Sequence, residues 1–537
     1  MDFQKTVAYF ALEAAIHPSL RTYAGGQGYL TGSFARAAKR LGLPVVVVTI
    51  LWRKGYYDQV LGNNGMEVHY VDRYYKDILE DTGAKARIQI GENPNVLVKA
   101  FRLKPGVLEE DLPPILFLDT DIPENDAESR ANTQILYPDD NGQRIAQEII
   151  LGIGGVRILQ DLSIPFDIGH LNEDYSFLAA VELIRQKMAM GLDFQMAFNQ
   201  TKEQIVFTTH TPRLSGWRDL EAMIRMGCFP GLTKDQAIFL GGYPYNQIVA
   251  SLRTAKRANA VSQLHGETAN RLWAWVNGRC EIVPITNGVD VPYWEEVEFQ
   301  EEKTLDEIRE LKLKHKRLLI EENKKRTGKD FEEDVFTSVW ARRFDGYKRP
   351  ELIFRDYAWL RDQLNLGRAQ LIVAGKPHPN DFSMRKVWNE IYEKSKGQTN
   401  LSIWPEYDLE ASRILKKGAD AWLNTPRLPW EACGTSGMSA ALYYTLNISI
   451  RDGWVVEGLT PEIAFLFGTD RPYQHEWEQD AKDFEDLKET MQLATAVFYG
   501  DRVRWYKMAQ AARQVVRERF SAERMAKDYL VQLWMRG

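Results

Sequence analysis

The stretch WEACGTSGMSAALYYTLNISIRDGW, residues 430–454, has the order expected of a ligand-binding turn in an α/β domain. A carboxylate, Glu431, comes first, then an apolar, Ala-rich run typical of a helix, and then a β-branched segment at 447–450. The small residues between the carboxylate and the helix are Gly434, Thr435, Ser436 and Gly437. Glycines let the backbone approach a ligand, and the free N–H groups at a helix start favour an anion, commonly phosphate. Ordinary strand-to-helix connections show the same pattern, so the surrounding chain must decide between the two interpretations.

Outward from this stretch, short β-branched runs alternate with helical patterns along the whole chain. In the first half, the predicted strands are residues 5–10, 43–51, 114–118, 164–171, 205–209 and 281–285. The clearest helical patterns between them cover Leu30 to Leu41, 144–160 and 177–189. The second half has predicted strands at 335–340, 370–374, 401–404, 420–423 and 447–450, and residues 503–535 are strongly helical. This alternation predicts an α/β fold with parallel, doubly wound sheets.

A charged segment from Glu295 to Glu333 separates the two halves. Its apolar residues recur at helical spacing, at Leu305, Ile308, Leu311 and Leu318, which predicts a solvated helix at a domain edge. We therefore predict two Rossmann-like domains facing a central cleft, with ligands bound beyond the carboxyl ends of the strands. The predicted parts are an N-terminal domain at 1–290, a charged helical connection at 291–334, a C-terminal domain at 335–510 and a helix at 511–537 that packs back across the domains.

Composition excludes several classes of protein. Lys and Arg number 68 against 74 Asp and Glu, for a net charge of −6, which argues against nucleic-acid binding. The N-terminus has no signal-peptide pattern and no apolar run approaches a membrane span, so we expect a cytoplasmic protein. The three cysteines, Cys228, Cys280 and Cys433, are scattered, and no His, Cys, Asp or Glu set has metal-site spacing.

Polar side chains follow several predicted strands, where such folds bind ligands. Arg343 and Lys348 lie five residues apart after strand 335–340, so both cations could converge on one phosphate or diphosphate. Lys376 and His210 also follow strands. A basic cluster is equally compatible with a solvated surface, and a lone histidine is often structural. Further groups at equivalent positions, able to hold hydroxyls, are Asn172, Glu173, Asn287 and Tyr407.

The ordered motifs of the chain resemble those of the α-glucan (glycogen) phosphorylase family, in particular its compact, thermophile-type members. They are YFALE, YAGGQGYLTGS, HLNEDYS, FTTHTP, VSQLHGE, TNGV, WARRFDGYKRP, AGKPHP, PEYD, LNTPRLPWEACGTSGM and DGW. The resemblance runs from about Val7 to the C-terminus. It implies two Rossmann-like domains around a cleft, the GT-B type of glycosyltransferase architecture, and retaining transfer of an α-glucosyl unit.

The same resemblance implies roles for individual residues. Arg343 and Lys348 match the pair that holds the substrate phosphate, and Glu431 matches the carboxylate that grips sugar hydroxyls. His210 and Asn287 match residues that line the glucosyl site. The matches to the surroundings of the cofactor phosphate are Tyr407 and the turn Gly434, Thr435, Ser436 and Gly437, and Gly28 matches a residue beside the substrate phosphate.

The chain departs from that family at the cofactor. The family's motif that begins at Glu431 ends in a lysine that forms a Schiff base with pyridoxal phosphate, whereas this chain has Ser439 there. No other lysine lies between Lys417 and Lys482, and a serine cannot form an imine. The histidine of the family's Asn-Glu motif is replaced by Tyr175.

Retaining nucleotide-sugar transferases of the same two-domain fold place the donor diphosphate where phosphorylases place the two phosphates. The sequence therefore predicts a retaining hexosyltransferase that takes an α-glucosyl unit from a nucleotide-diphosphate sugar, without covalently bound pyridoxal phosphate. Two alternatives stay open: a phosphorylase that uses pyridoxal phosphate non-covalently or orthophosphate alone, and a catalytically silent carbohydrate-binding relative. The expected partners are a sugar donor and a sugar or small-molecule acceptor, with no nucleic acid and no membrane, and a homodimer is compatible with the sequence.

Overall fold

The computed structural model describes residues 3–63, 65–108, 111–469 and 471–536. The chain divides into two compact units. The first unit comprises residues 1–56, 70–286 and 522–537, and the second comprises residues 57–69 and 287–521. The chain therefore contributes a short hairpin to the second unit before the first unit is complete, and its last residues return to the first unit.

The strands in chain order are β1 (Val7–Phe10), β2 (Val45–Ile50), β3 (Asp58–Gly62), β4 (Gly65–His69), β5 (Leu79–Ile90), β6 (Asn93–Leu103), β7 (Ile115–Asp119), β8 (Ile168–Asn172), β9 (Ile205–Thr208), β10 (Arg257–Ala260), β11 (Glu281–Pro284), β12 (Thr337–Ala341), β13 (Gln370–Ala374), β14 (Leu401–Trp404), β15 (Ala421–Asn424), β16 (Leu446–Ile450) and β17 (Phe465–Phe467).

The α-helices are α1 (Gly26–Arg40), α2 (Ala127–Ala131), α3 (Asn141–Ile149), α4 (Gly155–Asp161), α5 (Leu178–Ala189), α6 (Phe194–Lys202), α7 (Leu220–Met226), α8 (Lys234–Gly241), α9 (Gln247–Thr254), α10 (Gln263–Leu272), α11 (Val291–Trp294), α12 (Val297–Gln300), α13 (Leu305–Thr327), α14 (Tyr357–Asn365), α15 (Phe382–Lys396), α16 (Leu409–Gly418), α17 (Ser436–Ala441), α18 (Val455–Gly458), α19 (Glu476–Gly500), α20 (Arg502–Arg519) and α21 (Ala522–Tyr529). Short 3₁₀ or π segments are Ile150–Gly154, Asp174–Ser176, Gly346–Lys348, Leu352–Phe354 and Leu530–Trp534. Across these described elements, every helix is too short or too polar to span a membrane.

The first unit is built on a sheet with the strand order β11-β10-β9-β8-β1-β2-β7-β6-β5. Strand β1 is buried along its whole length, with Val7 and Tyr9 in one apolar core and Ala8 and Phe10 in another. Successive side chains of a strand point to opposite faces, so both faces of this sheet are covered. The parallel pairing predicted from the sequence holds from β11 to β7.

The other edge of this sheet differs from the prediction of parallel strands. Strands β5 and β6 form a long hairpin, and β6 pairs antiparallel with β7. Much of β5 alternates between buried and exposed residues, as expected of a sheet with one face in water. The sequence interpretation missed this hairpin because its apolar residues are diluted by charged ones on the solvated face.

The second unit contains the sheet β14-β13-β12-β15-β16-β17, which is parallel throughout, and the separate hairpin β3–β4. The strands predicted at 370–374 and 401–404 have the bounds of β13 and β14. The α/β class with large parallel sheets is therefore confirmed. The arrangement of two domains around a cleft stays a prediction.

The charged segment forms one long helix, α13, whose apolar stripe and two of whose lysines are buried, while many of its other charged residues are exposed as the sequence predicts. Ile308 and Leu311 are buried as the helical spacing indicates, whereas Leu318 is 47% exposed and its neighbour Leu319 is 1% exposed. The buried stripe therefore passes through Leu319, because steps of three and seven residues fall short of the 3.6-residue turn and the stripe shifts by one position over this length.

Two lysines anchor α13 to the end of the second sheet. Lys312 Nζ donates to the carbonyl oxygen of Ala419 at 2.6 Å, and Lys316 Nζ lies 2.6 Å from Asp420 Oδ2. Both lysine side chains are buried. Their ammonium groups contact oxygens of the two residues directly before β15. Charges that the sequence pattern predicts in water therefore hold the helix on the sheet.

The helical pattern at the C-terminus is also interrupted. Helix α20 belongs to the second unit, whereas α21 and the residues after it belong to the first. Trp534 is buried there, and its indole N–H donates to His170 Nδ1 at 3.3 Å.

Candidate active site

Glu431 of the second unit lies at the centre of a buried charge cluster. Its Oε2 accepts hydrogen bonds from Arg342 Nη2 at 2.8 Å and from Lys348 Nζ at 2.7 Å. Arg342 follows β12 directly, and Glu431 lies in the loop after β15. The two strands are parallel neighbours, so their following loops meet at one edge of the sheet. Lys348 and Glu431 are therefore in contact, and their roles in binding phosphate and sugar stay predictions.

The arginine in this cluster is Arg342, whereas the sequence interpretation had chosen Arg343. The Arg343 side chain is 39% exposed and its Nη2 pairs with Asp345 Oδ2 at 3.0 Å. The Arg342 side chain is 6% exposed, and its buried Nη1 has no hydrogen-bond partner within the described ranges. Nothing in the Arg-Arg doublet distinguishes its members, since only the direction in which the backbone leaves β12 decides which one is buried.

The charges in the cluster shift one another's pKa values. Burial alone would raise the pKa of Glu431, but Arg342 and Lys348 outweigh that effect and hold it below its usual value. Burial, with Arg342 nearby, lowers the pKa of Lys348 to about 8, although Glu431 opposes the shift. At neutral pH the cluster therefore has two cations on one carboxylate, an excess of one positive charge, which suits a further anion.

Asp452, which is not among the predicted site residues, holds the backbone of Glu431. Its Oδ2 accepts the backbone N–H of Glu431 at 3.0 Å. Burial, together with the charge of Glu431, raises the pKa of Asp452 well above its usual value. Its place directly after β16 was the available signal, because strand ends in such sheets commonly carry site residues.

The glycine turn packs closely against this cluster. A Cβ added to Gly434 would lie 2.6 Å from Arg342 Nη2 and 2.9 Å from Glu431 Oε1, and one added to Gly437 would lie 2.4 Å from Asn447 Oδ1. A side chain at either position would therefore displace these polar groups. Between them, Thr435 precedes the helix α17 without capping it through its side chain, and Ser436 Oγ accepts from the indole of a tryptophan, Trp422, at 3.4 Å.

Ser439 lies inside α17 and is 2% exposed. Its Oγ donates to the carbonyl oxygens of Thr435 at 3.3 Å and Ser436 at 3.1 Å. The hydroxyl is thus satisfied within its own helix, in the common i to i−4 manner of buried serines. The position offers no amine to an aldehyde, so the residues present here do not fit a Schiff base with pyridoxal phosphate.

Asn287 joins the same loop. It is 3% exposed, and its Nδ2 donates to the carbonyl oxygen of Cys433 at 3.4 Å. The contact brings Asn287 beside the loop that follows Glu431, in the second unit, whereas the predicted N-terminal domain at 1–290 includes it; its role in binding the sugar stays a prediction.

Lys376 has strong internal partners. Its Nζ donates to the carbonyl oxygen of Tyr57 at 2.7 Å and pairs with Glu406 Oε1 at 2.6 Å. Tyr57 begins the β3–β4 hairpin segment, so Lys376 fastens that hairpin to the second unit. Tyr407, expected near a phosphate, donates its hydroxyl to Ser412 Oγ at 3.1 Å.

In the first unit, the predicted residues Asn172, Glu173 and His210 come together at the carboxyl ends of β8 and β9. His210 Nε2 lies 2.5 Å from Asn172 Oδ1, and Glu173 Oε1 accepts the backbone N–H of His210 at 2.7 Å. Burial, reinforced by His265, lowers the pKa of His210 to about 3, so its ring is neutral at physiological pH. Burial and the adjacent Asp174 raise the pKa of Glu173 to about 7.

Gly28 lies within α1, beyond the turn in which the sequence interpretation placed it. A Cβ there would lie 2.5 Å from the Cβ of Tyr23 and 3.0 Å from Glu13 Oε2. Glu13 Oε2 accepts the backbone N–H groups of Ala24 at 2.6 Å and Gly25 at 3.1 Å. The amides at the start of α1 therefore already hold a carboxylate of the chain itself.

In the described parts of the chain, no group of three or more His, Cys, Asp or Glu side chains is arranged to hold a metal ion. The features above define a class of protein: an α/β protein with buried cations gathered on a carboxylate at the carboxyl edge of a parallel sheet. No family model matches the sequence.

Individual relatives are more informative. The maltodextrin phosphorylase of Thermococcus litoralis is 32% identical, over 98% of this chain and 70% of its own length. The glycogen phosphorylase of Aquifex aeolicus is 29% identical, over 98% of this chain and 86% of its own length. An uncharacterized protein of Methanocaldococcus jannaschii is 42% identical over 99% of this chain and its own full length. The chain therefore belongs to the glycogen and maltodextrin phosphorylase family.

Proposed function

We propose that the protein is a retaining hexosyltransferase that transfers an α-glucosyl unit from a nucleotide-diphosphate sugar, without covalently bound pyridoxal phosphate. The observation that carries this proposal is the combination of Arg342 and Lys348 on Glu431 with Ser439 in place of a lysine. The cation site is retained, while the residue needed to tether a second phosphate through an imine is absent. A diphosphate donor brings that second phosphate with it.

The cluster suits the departure of a diphosphate. Lys348 is still cationic at pH 7 because its pKa, about 8, lies above that pH, and Arg342 has a buried N–H group available at Nη1. Cations held in place before the reaction stabilise the charge that develops on a leaving phosphate. Glu431, held by its backbone N–H on Asp452, is in a position to accept sugar hydroxyls through Oε1.

The proposed step is a front-face displacement. The bond between the anomeric carbon and the donor phosphate oxygen breaks, and a bond to the acceptor hydroxyl oxygen forms on the same face. The proton of that hydroxyl moves to the leaving phosphate, so no separate catalytic base is needed and the α configuration is kept.

A second candidate is phosphorolysis, in which orthophosphate takes the place of the acceptor and glucose 1-phosphate is formed. Membership in a family whose named relatives are phosphorylases favours it. The same two cations would then hold orthophosphate, with pyridoxal phosphate bound non-covalently or not required.

A thermal-shift experiment separates these candidates. The purified protein is heated with common nucleotide-diphosphate glucoses, glucose 1-phosphate, orthophosphate or pyridoxal phosphate, beside the Lys348→Ala variant and the control Lys482→Ala. Lys482 is a suitable control because its exposed side chain pairs with Asp486, which lies four residues further along α19.

Stabilisation by a nucleotide sugar that is lost in Lys348→Ala and kept in Lys482→Ala is the expected result. Stabilisation by glucose 1-phosphate and orthophosphate alone would replace the proposal with the second candidate. A protein that responds to none of these compounds would contradict both and favour a silent carbohydrate-binding relative.

A further inference from the structure

Two neighbouring strand ends of the first unit are joined by side chains. Asn172 ends β8, and Glu173 follows it, while His210 and Thr211 lie just beyond the end of β9. Glu173 Oε1 accepts both the backbone N–H of His210 and the hydroxyl of Thr211, each at 2.7 Å. Asn172 Oδ1 meets His210 Nε2 at 2.5 Å. Asn172 therefore holds the ring of His210, and Glu173 holds the backbone of His210 and the side chain of Thr211.

The backbone of Glu173 is adapted to this contact. Its φ is +69°, in the left-handed region that a residue with a long side chain seldom adopts. Its backbone N–H donates to the carbonyl oxygen of Thr208 at 2.9 Å, and its side chain is buried. Strained conformations of this kind persist where surrounding contacts enforce them, and they cluster at functional sites.

The hydrogen bonds of Glu173 point inwards, to protein groups. Its Oε1 has the two donors named above, and its Oε2 accepts the N–H of Asp174 at 3.2 Å. These contacts occupy the carboxylate with backbone and hydroxyl donors. A direct contact between Glu173 and a sugar, which the sequence interpretation expected, would compete with them.

We propose that Glu173 is a positioning residue: its carboxylate holds the His210–Thr211 segment so that the His210 ring keeps one orientation for a sugar bound at the carboxyl edge of the first sheet. This inference rests on the proposed function for the identity of the sugar, and on the contacts of the first unit for the geometry. A neutral ring donates through one nitrogen and accepts through the other. With Nε2 on Asn172 Oδ1, the ring is fixed in its tautomer, and Nδ1 is left as the acceptor.

The charged groups near Glu173 pair with one another, so neutral donors hold its carboxylate. Arg218 Nη2 pairs with Asp174 Oδ2 at 3.2 Å and with Glu148 Oε1 at 3.1 Å. Among the described residues no cation is paired with Glu173 itself. The remaining titratable groups that face this cluster are Tyr175, His210 and His265.

The chain offers a graded set of variants. Glu173→Gln keeps an amide oxygen for the N–H of His210 and the hydroxyl of Thr211, whereas Glu173→Ala removes the contact. Thr211→Val removes one of the two donors and leaves the carboxylate in place. Glu182→Gln is the matched control, because Glu182 is a buried carboxylate of the same unit that pairs with Arg157 and Arg185.

The kinetic readout is kcat and KM for glucosyl transfer from pH 5.5 to 8.5. Misplacing a group near the reacting atoms costs on the order of 100-fold, so Glu173→Ala should lower kcat/KM by about that factor. Glu173→Gln should recover most of the loss, and it should also lose the pH dependence near 7 that the wild-type carboxyl introduces. Equal losses in Glu173→Ala and Glu173→Gln would overturn the inference, because a direct charge contact with substrate would then be the cause.

A second readout does not need an active enzyme. In protein labelled with ¹⁵N-histidine, with His210 assigned through His210→Gln, the ring should stay neutral and in one tautomer above pH 5. Thr211→Val and Glu173→Ala should broaden or shift that signal, and Glu182→Gln should leave it unchanged. An unchanged His210 signal in Thr211→Val would overturn the inference even if Glu173→Ala fails to fold. If no donor supports turnover while the His210 signal responds as expected, the proposed function fails and the positioning role stands.

Discussion

Glu431→Gln should destabilise the second unit by an amount that depends on pH. The substitution keeps the shape of the side chain and one acceptor oxygen but removes the negative charge between Arg342 and Lys348, which lie 2.8 and 2.7 Å from it. Both cations are buried, so neither can turn to water for compensation.

The expected loss in the free energy of unfolding is the sum of one contribution from Arg342 and one from Lys348. Arg342 cannot lose its proton, so replacing its carboxylate partner by an amide costs about 1–3 kcal/mol at any pH. Lys348 can lose its proton, and without Glu431 its pKa falls below the wild-type value of about 8. Each pH unit below 8 then adds about 1.4 kcal/mol, until the pKa of Lys348 in the variant is reached. The additional loss is therefore near zero at pH 9, about 1 kcal/mol at pH 7 and larger again at pH 6.

The sign of this dependence can be checked against the wild type. The pKa of Lys348 is lower in the folded protein than in the unfolded chain, so the unfolded chain binds more protons between about pH 8 and 10.5. Wild-type stability gains from this group as the pH rises through that window. In Glu431→Gln the window begins at a lower pH, so the difference between the two proteins widens on acidification.

The measurement is urea unfolding at pH 6, 7, 8 and 9, followed by tryptophan fluorescence and circular dichroism. Asp480→Asn is the matched control, because Asp480 lies between Arg349 at 2.9 Å and Arg427 at 2.7 Å in the same unit. Arginines do not titrate in this range, so the loss in Asp480→Asn should be nearly constant. A loss in Glu431→Gln that is equally flat, or smaller than about 1 kcal/mol throughout, would refute the assignment of a coupled Arg342–Glu431–Lys348 cluster.

Four further outcomes are expected. Lys348→Ala should reduce kcat/KM by the equivalent of roughly 2–4 kcal/mol, and it should also lower the unfolding midpoint because buried Glu431 keeps only one of its two cations; normal turnover of the folded variant would show the lysine to be structural. Calorimetric titration with the nucleoside diphosphate should show a larger loss of affinity in Arg342→Met than in Arg343→Met, because only Arg342 is buried against Glu431; the reverse order would restore the assignment of Arg343. Because Ser439 has no amine, borohydride treatment of the protein as purified should fix no pyridoxyl group that mass spectrometry detects, and recovery of such an adduct on any lysine would contradict the proposal. With an α-linked donor, NMR coupling of the anomeric proton should report an α-linked product; a β-linked product, or a glycosyl ester trapped on Glu431, would exclude the front-face mechanism.

The fold was predictable where local pattern and tertiary environment agree. Strands β13 and β14 are continuous apolar runs between charged helices, and a strand buried on both faces has that composition in any parallel sheet. The β5–β6 hairpin was not predictable in the same way, because much of its sequence alternates between residues on a buried face and residues on a solvated face, which leaves no continuous apolar run. For α13 the charge pattern was misleading, since the stems of Lys312 and Lys316 lie in the protein and only their contacts with Ala419 and Asp420 account for their burial.

The candidate site was also predictable from the sequence only in part. The order of strands and loops in the sequence brought Lys348, Glu431 and the glycine turn into one region, because loops at the carboxyl ends of adjacent parallel strands are neighbours whatever their side chains. Which arginine joins them, and whether Lys376 is available to a ligand, depended on side-chain direction. The contact of Lys376 with the carbonyl oxygen of Tyr57 joins residues more than three hundred positions apart, and no local pattern encodes it.

The amino-acid sequence by itself determined the α/β class, the family and the presence of Ser439 in the motif that begins at Glu431, because these depend on residue identity and on periodicities of two and 3.6 residues. The tertiary structure alone decided that Arg342 is the buried partner of Glu431, that Glu173 turns towards His210 and Thr211, and that the pKa of Lys348 falls to about 8. The physical reason is that burial and charge coupling are properties of distances between segments. Those distances exist only once the strands have paired and their loops have met.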